Sequence, residues 1–260
     1  VTAQVAKEIA AGRSSVNMLA NQFSTEILTV DIGIDSDIYC SNIINKKIAY
    51  GTRSIVKGPA MDPSQARKAI SNGIEIVYDL CRNGTDIIIT GEMGIGNTTT
   101  SAAIASLILG IPAEITTGRG AGLDSSGMSR KIAAIHRAIK LNKPDPTDPI
   151  DVLSKLGGFD IAGMTGLFLG GAECGIPIVI DGVISAVSAC LAEMISPGCR
   201  DFMLPSHVSN EPSARLLLEK LGLKAPINAG FHLGEGTGGI MLLPLLDGAL
   251  AVYNLSLIHI

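Results

Sequence analysis

The chain has 260 residues, 47% hydrophobic but only 3% aromatic, with no Trp and a formal net charge of −4. That length suits one large domain with a sizeable core and excludes a small scaffold stapled by disulfides or metal. No basic cluster relieves the acidic balance, which argues against a nucleic acid or an anionic membrane surface as partner.

A core of Ile, Leu, Val and Ala with 30 glycines is the composition of parallel strands covered by helices and joined by tight turns. Cys40, Cys81, Cys174, Cys190 and Cys199 are odd in number and lack C-x-x-C spacing, and the four histidines show no metal-type pairing. Reduced thiols are therefore expected, with neither a metal nor a cofactor. No signal peptide precedes Val1 and no uninterrupted apolar run reaches bilayer length, so a soluble, cytoplasmic protein is expected.

Residues 2–22 carry apolar side chains at helical spacing with a break near Gly12, predicting two helices or one kinked helix. Residues 26–33 are β-branched and read as a strand with Asp31 at its C-terminal tip; a plain turn residue is the alternative for that acid. Asp62-Pro63 is a helix N-cap followed by Pro at the first helical position, opening a helix to about Cys81. Residues 86–100, DIIITGEMGIGNTTT, run from a buried strand through a glycine loop into the start of an apolar helix. Such a loop aims backbone N–H groups and the positive end of a helix dipole at one point, which suits a phosphate. The plainer alternative is an ordinary strand-to-helix turn capped by Asn97 or Thr98, and no Lys follows the last glycine as a Walker loop requires.

Residues 113–122 read as a further strand and glycine turn, with the wrong spacing for a dinucleotide fingerprint. Lys131 lies early in a helix over about 126–140, and the Pro- and Asp-rich residues 143–149 mark a loop. A small-residue helix follows in the second half of 151–167. Residues 177–182 form a buried strand ending in Asp181, then a helix runs over 183–194; a shorter strand spans 202–207 and a helix about 212–221. Asp31, Glu92 and Asp181 are thus expected together on one edge of a parallel sheet, where open α/β folds bind ligands. Finally, Glu235 lies among glycines in residues 231–239, FHLGEGTGG, ahead of an apolar stretch over 240–246 expected to be buried. Loss of hydration there would raise its pKa toward that of a general base, whereas a glycine turn with the glutamate facing water is the bland alternative.

GEMGIGNTTT, DVLSKLGGFDIAGMTGLFLGGAECGIPIVIDG, LPSH and LGEGTGG, in this order and spacing, resemble the nicotinate-nucleotide–dimethylbenzimidazole phosphoribosyltransferase family from residue 1 to about Tyr253. The resemblance implies an α/β fold with a parallel, Rossmann-like sheet, helices on both faces and a small helical subdomain. It implies a homodimer, a domain over 1–254, and residues 255–260 as a non-native or truncated tail. The reaction it implies moves the phosphoribosyl group of nicotinate mononucleotide to 5,6-dimethylbenzimidazole or a related base, giving α-ribazole 5′-phosphate and nicotinate in cobalamin assembly. By the same match Glu235 is the catalytic base, and Gly94, Gly96, Asn97 and Lys131 hold the 5′-phosphate. Glu92 lies near ribose or acceptor, Asp181 is at the substrate edge, and Ser209 and His232 are on the nicotinate side. Val5 and Met93 fall at acceptor-pocket positions, and an arginine is usual where His232 stands. The family's pattern also carries an N-terminal section with a sheet strand ahead of Val1, so the chain reads as truncated, with an apolar sheet edge laid bare. A nucleotide-binding module without catalysis is the alternative on that ground. A transferase using phosphoribosyl pyrophosphate would place two adjacent acids after a hydrophobic strand, and no predicted strand end has such a pair.

Overall fold

The computed structural model describes residues 1–120 and 122–256, so residues 257–260 of the expected tail lie outside the described residues. In chain order the elements are α1 (Thr2–Ala10), α2 (Ser15–Gln22), β1 (Thr29–Asp31), β2 (Ile43–Asn45), α3 (Pro63–Arg82), β3 (Ile88–Ile89), α4 (Asn97–Leu109) and α5 (Ala113–Thr116). Then come α6 (Ser125–Asn142), α7 (Pro149–Leu156), α8 (Phe159–Cys174), β4 (Ile178–Ile180), α9 (Val183–Ile195), β5 (Met203–Pro205), α10 (Ala214–Leu221), α11 (Thr237–Ile240) and α12 (Leu243–Ser256).

Local chemistry explains most of these boundaries. The break at Gly12, which has φ +77°, separates α1 from α2. Asp62 and Gln65 form a reciprocal capping box at the start of α3, with Pro63 where no N–H donor is needed. Asp148 caps α7 by accepting the N–H groups of Ile150 and Asp151. The strand expected over 113–122 is instead the short helix α5, with Pro112 as its N-cap and Ala113 and Thr116 turned into the core. Its β-branched residues suggested extension, but four residues of such propensity are overridden by burial of one helical side.

The strands form two separate parallel sheets. β3, β4 and β5 lie in that spatial order, with Ile88 beside Ile178 and Ile178 beside Met203. Among the described residues β1 pairs only with β2, so Asp31 is not on the edge that carries Glu92 and Asp181, contrary to the sequence expectation. Asp31 is buried against Lys47 at 3.1 Å and accepts the N–H groups of Gly33 and Ile34, which makes it a turn anchor.

The main core joins α3, α8 and α9 around β4. α3 and α8 meet at bare backbone: a Cβ on Gly166 would lie 2.0 Å from the Ile70 carbonyl oxygen. That close approach is why the small-residue helix is small-residued, and it leaves α8 rigidly docked with its N-terminus at the β3–α4 loop. A second cluster of Val16, Ala20 and Ile240, with Ile89 and Leu243 against it, fastens α2 to the start of the C-terminal helices. The apolar stretch after Glu235 departs from expectation. Ile240 and Leu242 are buried, but Leu245, Leu250 and Val252 on α12 are at least half exposed. Thr237–Leu255 is moreover a 19-residue helical run of mean hydropathy 1.4, long and apolar enough by composition to cross a membrane, with 22% of it buried. Asp247 interrupts it in sequence.

Candidate active site

The three strands of the larger sheet end in polar residues that lock one another. Thr90, just past β3, donates its hydroxyl to the Val179 carbonyl at 2.7 Å and lies 2.6 Å from the Ser185 hydroxyl. The Asp181 N–H, past β4, reaches both hydroxyls at 3.3 Å. Ser206, past β5, donates to the Ile180 carbonyl at 2.7 Å. All four side chains are buried, so this edge is a fixed platform.

Onto that platform folds the Glu235 loop. Gly234, Glu235 and Gly236 have φ of +83°, +61° and +86°, a run of left-handed residues that only glycines flank without strain. Glu235 itself carries a cost of about 1–2 kcal/mol for that conformation. The Asp181 carboxylate supplies the restraint, accepting the Gly239 N–H at 2.8 Å and the Gly236 N–H at 3.2 Å. Gly91 completes it: a Cβ there would sit 2.8 Å from the Glu235 carbonyl oxygen, so the β3–α4 loop lies directly on the Glu235–Gly236 peptide. Asp181 therefore turns toward the loop rather than outward. Burial raises the Glu235 carboxyl pKa above the ordinary range, in the direction a general base needs.

Burial also pushes Asp181 up to about 6, with the glycine N–H bonds pulling the other way. A carboxyl raised in the folded state binds more protons there than in the unfolded chain. Its contribution is thus fully present below the unfolded value of about 4 and is lost as pH rises through about 6. Asp181→Asn should accordingly flatten the fall in unfolding free energy between about pH 4 and pH 6. Urea titrations across that window check it, and an unchanged slope would contradict the assignment.

Glu92 follows on the same loop, half-buried. Asn97 Nδ2 donates to its Oε2 and also to Asp160 Oδ2 at 2.9 Å, so one amide bridges two carboxyl groups. Burial first, and Asp160 second, raise Glu92 to about 7. Gly96, at φ +91°, is the N-cap of α4 and adds no side chain to close the helix end. Beside that end the buried Lys131 donates to Thr98 Oγ1 at 3.0 Å and to the Gly118 carbonyl at 2.9 Å. Burial lowers its pKa while Glu211 partly restores it. A helix N-terminus and an ammonium facing one point make an anion site.

The other expected residues are placed less evenly. Ser209 is buried near Gly182, and His232 is exposed with Nδ1 2.8 Å from the Gly230 carbonyl. Met93 is half-buried between Glu92 and Gly94. Val5 lies half-buried on α1, which packs chiefly on β1, and none of the hydrogen bonds described above reaches it. Asp160 and His207 had no role in the sequence expectation, and Gly91 entered it only as the start of the phosphate loop. His207 is buried, meets the Ser206 hydroxyl through Nδ1 at 2.9 Å and stands edge-on to Phe231 at 5.2 Å. Burial lowers it to about 4, so it is a neutral prop beneath Gly238 at neutral pH. The one available signal for Asp160 was its place in the first turn after Gly157-Gly158, where acids favour a helix start.

A family model described as phosphoribosyltransferase (DBI_PRT) matches residues 1–256. The nicotinate-nucleotide–dimethylbenzimidazole phosphoribosyltransferase of Ruminiclostridium cellulolyticum is 47% identical over 254 residues, 98% of this chain and 72% of that protein. The protein of the same name from Acetivibrio thermocellus is 46% identical with the same coverage. The crystal structure of CobT from Thermus thermophilus superposes with a TM-score of 0.91 at 34% identity, covering 95% of this chain and 74% of that one.

Proposed function

Because this chain belongs to the nicotinate-nucleotide–dimethylbenzimidazole phosphoribosyltransferase family, we propose that it transfers the phosphoribosyl group of nicotinate mononucleotide to 5,6-dimethylbenzimidazole or a related base. The products are α-ribazole 5′-phosphate and nicotinate, a step of cobalamin biosynthesis. The observation that carries the reading is the carboxylate of Glu235 on a left-handed loop held by Asp181 and packed on the β3–α4 loop, which leads into a helix N-terminus served by a buried lysine.

The chemistry needs little more. In the donor the pyridine nitrogen is positive, so the C1′–N bond breaks with its electron pair neutralising nicotinate, and no acid is required. The acceptor nitrogen attacks C1′ from the opposite face, inverting the β-riboside to the α-riboside. As that bond forms the acceptor ring loses its N–H proton, and Glu235 takes it. The two reacting rings must be held in line, which is the work of a fixed platform. Gly94, Gly96, Asn97 and the α4 N-terminus bind the 5′-phosphate in this reading. A phosphate there would take an N–H donor of Lys131 beyond those given to Thr98 and Gly118. Glu92 serves the ribose or acceptor, Ser209 and His232 the nicotinate ring, and Met93 with Val5 the acceptor pocket.

Incubation with nicotinate mononucleotide and 5,6-dimethylbenzimidazole, followed by chromatography of nicotinate and α-ribazole phosphate, tests the reaction; folded protein with no product would sink it. Lys131→Met should raise KM for nicotinate mononucleotide by about tenfold or more with kcat changed far less, since a phosphate contact is largely uniform binding. An unchanged KM would remove Lys131 from the site. The partners assigned are small molecules and a second copy of the chain, with no nucleic acid or membrane. The exposed apolar side chains of α12 support the homodimer, which sedimentation would read. The cytoplasm is the assigned compartment, supported by five cysteines that are all free.

A further inference from the structure

Glu92 reaches from the β3–α4 loop toward the loop that carries Glu235: a Cβ on Gly234 would lie 3.3 Å from Glu92 Oε1. One amide bridges Glu92 to Asp160, and two ionised carboxylates so placed would compete for one proton. Something must decide which of them stays charged. Around Glu92 stand Asp160 from the start of α8 and Asp181 from the end of β4, with the Gly234 backbone of the loop that carries Glu235 beside its Oε1; α4 contributes the neutral Asn97. Among the described residues no lysine or arginine forms an ion pair with any of these four acids.

We propose that Asp160 is a positioning residue that keeps Glu92 protonated, so that Glu92 acts as a hydrogen-bond donor beside the substrate and Glu235 remains the single base. Three contacts support this. Asp160 Oδ1 accepts the Ile161 N–H at 2.9 Å, and the residue lies in the first turn of α8, where the helix dipole favours its negative charge. Its Oδ2 takes one hydrogen of the Asn97 amide, whose other hydrogen goes to Glu92 Oε2. Gly94 admits this arrangement, since a Cβ there would lie 2.4 Å from Asp160 Oδ2. The bridge fixes the two carboxyl groups at short range, and like charges so close favour one shared proton. It resides on Glu92, which burial and the Asp160 charge raise against the pull of the Asn97 and Gly94 hydrogen bonds. The Glu92 oxygen outside the bridge, Oε1, lies toward Gly234 and the reacting region.

The inference rests on the transferase reading, and its test separates the two. Protein labelled with carboxyl-¹³C glutamate is titrated by NMR, with the Glu92 signal identified by its loss in Glu92→Gln. Asp160→Asn should move the Glu92 midpoint down by about one pH unit, because the neighbouring charge is gone. Asp160→Ser, which also removes the charge but keeps a short polar side chain near the Ile161 N–H, should do the same if Asn disturbs the loop. In turnover, the alkaline limb of the kcat profile should shift down by a similar amount in Asp160→Asn. Glu92→Gln should lack that limb, and adding Asp160→Asn to it should move nothing further. A merely structural Asp160 would lower the rate at all pH values and leave both midpoints in place, which overturns the inference. Transfer by the wild type with an unmoved limb overturns this inference alone. No transfer by the wild type overturns the reaction, while the NMR midpoint still decides whether Asp160 sets the proton on Glu92.

Discussion

Glu235→Gln is expected to lower kcat for nicotinate release by about 10²–10⁴-fold while leaving KM for nicotinate mononucleotide within about threefold. Gln keeps the size and one acceptor oxygen but cannot take a proton, so the loss isolates the base. The loop itself should survive, because its restraint comes from the Gly236 and Gly239 N–H bonds to Asp181 and from backbone packing on Gly91. None of those contacts uses the Glu235 side chain. The raised pKa of Glu235 adds a second signature. The base must be ionised, so kcat rises with pH through its midpoint, and that acid limb should vanish in Glu235→Gln. Equal losses in kcat and in donor affinity would instead make Glu235 a structural residue. A variant retaining wild-type kcat would remove it from the reaction.

Gly91→Ala should have an effect of similar order through geometry alone. The residue is exposed and has no positive φ, so alanine fits its backbone and an isolated turn would accept it. The added Cβ, however, would sit 2.8 Å from the Glu235 carbonyl oxygen and 3.0 Å from the Gly236 nitrogen. Both neighbours are backbone, so the two loops must part. Displacement of a base by about 1 Å costs on the order of 10² in rate. We expect kcat to fall by about that factor with a melting temperature lowered by only a few degrees, as for a change of about 1 kcal/mol. Turnover and calorimetry on the same preparation check both halves. Unaltered kcat would show that the Glu235 loop is free to shift without consequence, and the close approach would then carry no function.

Much of the fold was legible because its signals are local. Capping at Asp62, the break at Gly12 and the apolar runs of β3 and β4 each follow from a few adjacent residues. The site was legible in its parts for the same reason: a glycine loop before a helix, and a carboxylate between glycines. Errors arose where burial decided. Residues 113–116 are helical because one side packs inward, despite their strand-like composition. Asp31 matched Glu92 and Asp181 as an acid at a strand end, yet its strand pairs in another sheet and Lys47 neutralises it. The stretch after Glu235 is apolar, but most of α12 stays uncovered.

By itself, then, the sequence determined the α/β class, the resemblance to a transferase family and the identity of the candidate base, since these reside in residue type and short-range order. Only the tertiary structure decided what the other acids do. Asp181 turns to hold the Glu235 loop, Asp160 reaches Glu92 through Asn97, and Gly91 lies against the peptide of Glu235. The hydrogen bonds that Asp181 and Asp160 accept among these contacts join residues 55 to 63 positions apart in the chain. Hydrogen-bond direction and van der Waals contact act over a few ångströms in space, and no spacing in the sequence encodes them.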